Sequence, residues 1–273
     1  MELHLSGTAA VLSYLAALAF LIGSLRATGP SRTSKACPLR MAYLGLGFIA
    51  VALHASLFLG DGTLRPSFSF LSALSLVSLC INAILLFTAL LRPVEKLAVI
   101  TFPLAALFVL LQMSMPDGSK VLNDRSWEMS AHIASSLIAY SLLNIAALQA
   151  LFVAIQDHYL RNHRTDNALM RSLPSLQAME SLMFQLIAAG LLFLTLSLMS
   201  GFLFLDDMFA QHLAHKTVLS LLAWLVFAIL LVGRQRYGWR GQTAIRWTLG
   251  GFIALMLAYF GSKMVLELIL KRA

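Results

Sequence analysis

The sequence predicts an all-α polytopic membrane protein with eight transmembrane helices. The chain is 59% hydrophobic and only 12% charged, with a mean hydropathy of +0.82, which excludes an ordinary soluble domain. Its apolar residues fall in continuous runs, not in the alternation that a membrane β-barrel requires. The runs reach the roughly 20 residues needed to cross about 30 Å of hydrocarbon as a helix. A helix also satisfies its own backbone polar groups within one segment, as lipid demands.

Taken in order, the expected spans are 5–25, 39–59, 68–91, 97–113, 131–155, 182–203, 213–232 and 247–270. No basic region precedes the first run, so it is expected to remain as a span and not to be cleaved as a signal peptide. The fourth run is the shortest and is interrupted by Pro103. The longest connections, about 114–130 and 156–181, are too short for an independent core. Residues 1–273 are therefore expected to form a single integral membrane domain. No repeat is clear along the chain.

Charge is distributed by side. Arg26, Arg32, Lys35 and Arg40 lie in the first connection, Arg92 and Lys96 in the third, Arg161, Arg164 and Arg171 in the fifth, and Arg234, Arg236, Arg240 and Arg246 in the seventh. The positive-inside rule places these connections in the cytoplasm and both termini on the noncytoplasmic side. Basic loops beside anionic membrane lipids account for the net charge of +8, so no nucleic-acid partner is implied. Cys37 and Cys80 are expected at different membrane depths, which argues against a disulfide, and they form no CxxC redox motif.

The fifth span begins at His132 and continues through Ser136, Tyr140 and Asn144, spaced four residues apart along one drifting helix side. Exposing that stripe to lipid would be costly, so it should face other helices or a polar cavity. His212 and His215 lie just before and within the start of the seventh span, at the predicted membrane level of His132. Neutral imidazole is a good ligand for a metal or for heme iron, and two histidines from separate segments can hold heme between them. His132 with His212 is the favoured pair and His215 the alternative second ligand. His54, toward the outer end of span two, is a further candidate, either in contact with heme or as a donor to a second partner. The competing explanations are structural: His132 hydrogen-bonds another helix, His212 is an ordinary interfacial residue, and His54 has a structural role with no partner selected by the sequence.

The carboxy-terminal half resembles the cytochrome c assembly membrane-protein family, particularly its short HemX-like branch. The resemblance is carried by Leu222-Ala223-Trp224-Leu225-Val226-Phe227-Ala228, by Gly238-Trp239-Arg240-Gly241 and by Ala258-Tyr259-Phe260-Gly261-Ser262-Lys263. The His132–Tyr140 segment is similar to the family helix that begins with an external histidine. The resemblance implies heme handling in a bacterial cytoplasmic membrane during cytochrome c maturation, with apocytochrome c or another maturation factor as partner. It also implies that His132 is the first external histidine. The segment Phe209–Lys216 stands where the family has a tryptophan-rich, aspartate-containing stretch, yet it has neither tryptophan nor aspartate. The later external histidine of synthetase-type members is absent as well. An assembly-associated protein that binds or presents heme is therefore expected, without autonomous catalytic activity or catalytic residues. The alternatives are a small-molecule transporter, although no inverted repeat is evident, and a structural membrane partner.

Of the remaining polar signals, Gly238–Gly241 is expected as a tight cytoplasmic connection anchored by Trp239 at the interface. Lys263 and Glu267 are one helical turn apart and should pair, snorkel or meet a polar cavity. Asp206 and Asp207 form an acidic patch beside span six.

Overall fold

The computed structural model describes residues 2–27, 33–60, 63–64, 70–92, 94–114, 127–162, 174–204 and 214–261, without the side chains of some residues at element ends, Cys37 and His215 among them. Eight α-helices occur among these residues: α1 (Glu2–Ala27), α2 (Thr33–Ser56), α3 (Phe70–Leu91), α4 (Ala98–Ser114), α5 (Trp127–Arg161), α6 (Leu176–Phe204), α7 (Ala214–Tyr237) and α8 (Gln242–Met256). The first seven are long and apolar enough to cross a membrane. The described part of α8 has 15 residues and continues as a π-helical turn over Leu257–Gly261. The all-α membrane architecture expected from the sequence is thus present. The only extended pairing among the described residues joins β1 (Leu59–Gly60) to β2 (Thr63–Leu64), with Leu59 opposite Leu64.

The chain divides into two compact units, Met1–Asn123 and Asp124–Ala273. In the first, α1 lies along α2 and also packs on α4, while α3 packs on α4. Tyr14, Tyr43 and Phe102 are fully buried, with the Phe102 ring 5.4 Å from Tyr14 and 6.0 Å from Tyr43. Polar groups cross-link the helices within this apolar packing. Thr101 Oγ1 on α4 donates to Asn82 Oδ1 on α3 at 2.7 Å, and Asn82 Nδ2 donates to the Ser78 carbonyl at 2.8 Å. Pro103 lies within α4 without ending it. Its missing N–H removes one bond, which the surrounding helix tolerates. A 3₁₀ turn over Glu95–Leu97 leads into this helix. Cys80 is a free thiol on α3.

In the second unit α5 packs along α6 and against α8, and α7 packs against α6 and α8. At 35 residues α5 is about 52 Å long, so it overreaches the hydrocarbon and its ends project past it. The expected span 131–155 is its interior. Close approach to α6 depends on Gly190, where an added Cβ would lie 2.7 Å from Leu143 Cγ and 2.8 Å from its Cδ2. Trp224 on α7 donates from Nε1 to Thr195 Oγ1 on α6 at 2.8 Å, tying the Leu222–Ala228 motif to its neighbour.

Candidate functional site: the His132 seat between two helices

The stripe predicted on α5 faces protein, but it serves two neighbours in turn. Residues four apart drift by about 40° per step around a helix of 3.6 residues per turn. His132 and Ser136 accordingly meet α6, whereas Tyr140 meets α8 and the π-helical turn that follows it. Tyr140 is 7% exposed, its hydroxyl donates to Met256 Sδ, and its ring lies 5.9 Å from Tyr259 and 6.3 Å from Phe252. Asn144, the last member, is half-buried.

At the amino-terminal end of α5 the geometry determines the state of the histidine. His132 Nδ1 lies 3.0 Å from the Ser197 carbonyl oxygen and 3.0 Å from Ser200 Oγ, both on α6. A carbonyl oxygen can only accept, so the proton of the neutral ring sits on Nδ1. Nε2 therefore carries the lone pair. Among the described residues it has no hydrogen-bond partner, and it is not one of the fully buried polar atoms left unpaired, so it keeps some exposure. A neutral imidazole with an occupied Nδ1–H and an available Nε2 has the chemistry of a metal or heme ligand.

Trp127 and Phe204 stand at the same end of α5 and α6, about 7 Å along the helix axis beyond His132. Their rings meet edge to face at 5.9 Å, and they are 71% and 49% exposed. They offer exposed apolar aromatic surface at the same end of the helix pair as His132.

His54 lies in a different setting. It is 0% exposed, with Nδ1 3.2 Å from the Tyr14 hydroxyl on α1 and Nε2 2.8 Å from Ser75 Oγ on α3. Both ring nitrogens are engaged, so the ring bridges α1, α2 and α3. His212 falls outside the described residues; His215 lies in the first turn of α7, but its side chain does too. Lys263, Glu267, Asp206 and Asp207 also lie outside them.

A second polar centre was missed in the sequence. Glu180 on α6 is 5% exposed, and its Oε1 accepts the Gly241 N–H at 3.0 Å. Arg234 Nη1 lies 3.9 Å from Oε1 and Arg240 Nε 3.7 Å from Oε2. The Gly238–Gly241 connection is thus a built turn, with Gly241 at φ 55° where a side chain would be strained. Arg234 also donates to the Trp239 carbonyl at 3.3 Å and stacks 4.8 Å over the Phe184 ring. Trp239 packs 5.3 Å from Trp247. Nothing local to Glu180 marks it, because its partners lie more than fifty residues away.

Residues 39–270 match the Cytochrome C assembly protein family. The chain belongs to that family. It is 33% identical to the inner membrane protein YpjD of Escherichia coli (strain K12), over 95% of this chain and 97% of that protein. It is 27% identical to the cytochrome c biogenesis protein CcsA of Chlamydomonas reinhardtii, over 52% of this chain and 39% of that protein. No solved structure matches. With its apolar helices and its inner-membrane relative, the chain is a multi-pass protein of the cytoplasmic membrane.

Proposed function

We propose that this protein serves cytochrome c biogenesis by holding heme at the noncytoplasmic face of the membrane, in cooperation with apocytochrome c or another maturation factor. The observation that supports it most is the His132 seat in a chain of this family, which fixes the imidazole proton on Nδ1 and leaves Nε2 accessible. Heme, when bound, would supply an iron that imidazole nitrogen can ligate. His132 Nε2 is one such ligand in this proposal, and His212, or alternatively His215, is the other. Trp127 and Phe204 supply apolar contact of the kind a porphyrin needs where the tryptophan-rich stretch is missing. His54 does not fit a ligand role in this arrangement, since neither nitrogen is available. Its role is to hold three helices of its own unit together. The contribution of the chain is ligation and orientation, and bond-making is left to a partner.

Optical spectroscopy of the gently purified protein tests this. Stoichiometric heme with a low-spin bis-histidine spectrum is expected, lost in His132→Ala and in either His212→Ala or His215→Ala. A spectrum unchanged in His132→Ala refutes the assignment. The side of the membrane follows from the basic connections, and an alkaline phosphatase fused to the carboxy terminus should be active. An inactive but stable fusion would put the site on the wrong face.

A further inference from the structure

We infer that Ser200, seated on the Ser197 carbonyl, is a positioning residue that shares the Nδ1–H of His132 with that carbonyl, holds the ring so that Nε2 is the ligating atom, and strengthens Nε2 as a donor. This rests on the heme proposal above and goes beyond it, because it assigns a ligand-tuning role to α6.

The direction of every proton in the cluster follows from which groups can only accept. Ser136 Oγ donates to the His132 carbonyl at 2.6 Å, joined by Ser135 Oγ at 3.0 Å. With its proton so committed, Ser136 accepts in its 2.6 Å contact with Ser197 Oγ, and Ser197 donates. That bond crosses from α6 to α5 one turn from the imidazole. On the far side, Ser200 Oγ donates to the Ser197 carbonyl at 2.9 Å. It therefore accepts from His132 Nδ1, whose N–H is shared between Ser200 Oγ and the Ser197 carbonyl, each at 3.0 Å.

Two consequences follow. A ring flip would aim a carbon at both acceptors and lose both bonds, so the ring keeps one face toward α6 and Nε2 away from it. In addition, an N–H drawn toward two oxygens leaves the opposite nitrogen more basic, as partners of metal-bound histidines do. Serines that only packed helices together would not need both acceptors on the same ring nitrogen.

The test titrates hemin into the purified full-length chain and compares wild type with Ser200→Ala, Ser200→Thr, His132→Ala and Ser141→Ala. Ser141 is the control: its hydroxyl donates to the Leu137 carbonyl on the same helix, away from His132. Ser200→Ala should bind hemin about tenfold more weakly, the lower end for loss of one ligand partner. Its heme midpoint potential should rise, because a less basic ligand stabilises the ferric iron less. Ser200→Thr, which keeps the hydroxyl, should restore both, and Ser141→Ala should change neither. Helical circular dichroism confirms that each variant is folded. If His132→Ala abolishes the bis-histidine spectrum while Ser200→Ala keeps wild-type affinity and potential, the positioning role is overturned and the heme proposal stands. If wild type binds no hemin, or His132→Ala keeps the spectrum, both fall.

Discussion

Removing the carboxylate of Glu180 should cost this protein about 3 kcal/mol, and the contribution of each partner can be worked from its exposure. The bond from Gly241 N–H is charge-assisted and buried at the carboxylate end, so its loss is worth about 1.5–3 kcal/mol. Arg234, with a side chain 31% exposed, loses its only nearby anion among the described residues and adds about 1 kcal/mol. Arg240 is 55% exposed and adds little. Glu180→Gln keeps an oxygen for Gly241 and gives up only the charge, so it should cost about 1 kcal/mol. The assay is reversible unfolding in mixed micelles followed by helical circular dichroism, with tryptophan fluorescence reporting on the Trp239 environment. Glu180→Ala within about 0.5 kcal/mol of wild type would refute the reasoning. Equal losses in Ala and Gln would show that the Gly241 bond carries none of the effect.

Three other outcomes are expected. Asn82→Ala combined with Thr101→Val should show a coupling of about 0.6 kcal/mol in a double-mutant cycle, typical of a side-chain bond between membrane helices; strict additivity would mean the bond contributes nothing. Gly190→Val should destabilise by about 1–3 kcal/mol in the same unfolding assay, because its branched side chain must displace the fully buried Leu143, and a neutral result would show that α5 and α6 can separate freely. His54→Leu should lower stability by about 1–3 kcal/mol, by stranding the Tyr14 and Ser75 hydroxyls, and should leave the heme spectrum unchanged. A lost spectrum with the fold intact would return His54 to the ligand set.

Much of the architecture was legible because lipid imposes it. A membrane fixes the length of each apolar run, so among the described residues the interiors of the spans coincide with the helices even where the ends do not: α5 runs from Trp127 to Arg161, well past the expected 131–155. Its polar ends belong to the interface, where the hydrophobic criterion carries no signal. The polar stripe on α5 was legible for a related reason, since serine, tyrosine and histidine at four-residue spacing are conspicuous against leucine and alanine. Its division between α6 and α8 was not, because helix drift gives the angle but not the neighbour. Glu180 gave no sign at all: it precedes an apolar run like any interfacial acid, and only the return of Gly241 brings it a backbone donor.

By itself, the sequence determined an all-α membrane protein, and it singled out His132 as a polar group that lipid could not be asked to solvate. Tertiary structure alone decided that Ser197 and Ser200 meet Nδ1, and therefore which nitrogen of that ring keeps its lone pair. The physical reason is one of range. Transfer to hydrocarbon is a property of each segment and can be summed along the chain, whereas a hydrogen bond depends on atoms placed within about 3 Å by helices that are distant in sequence.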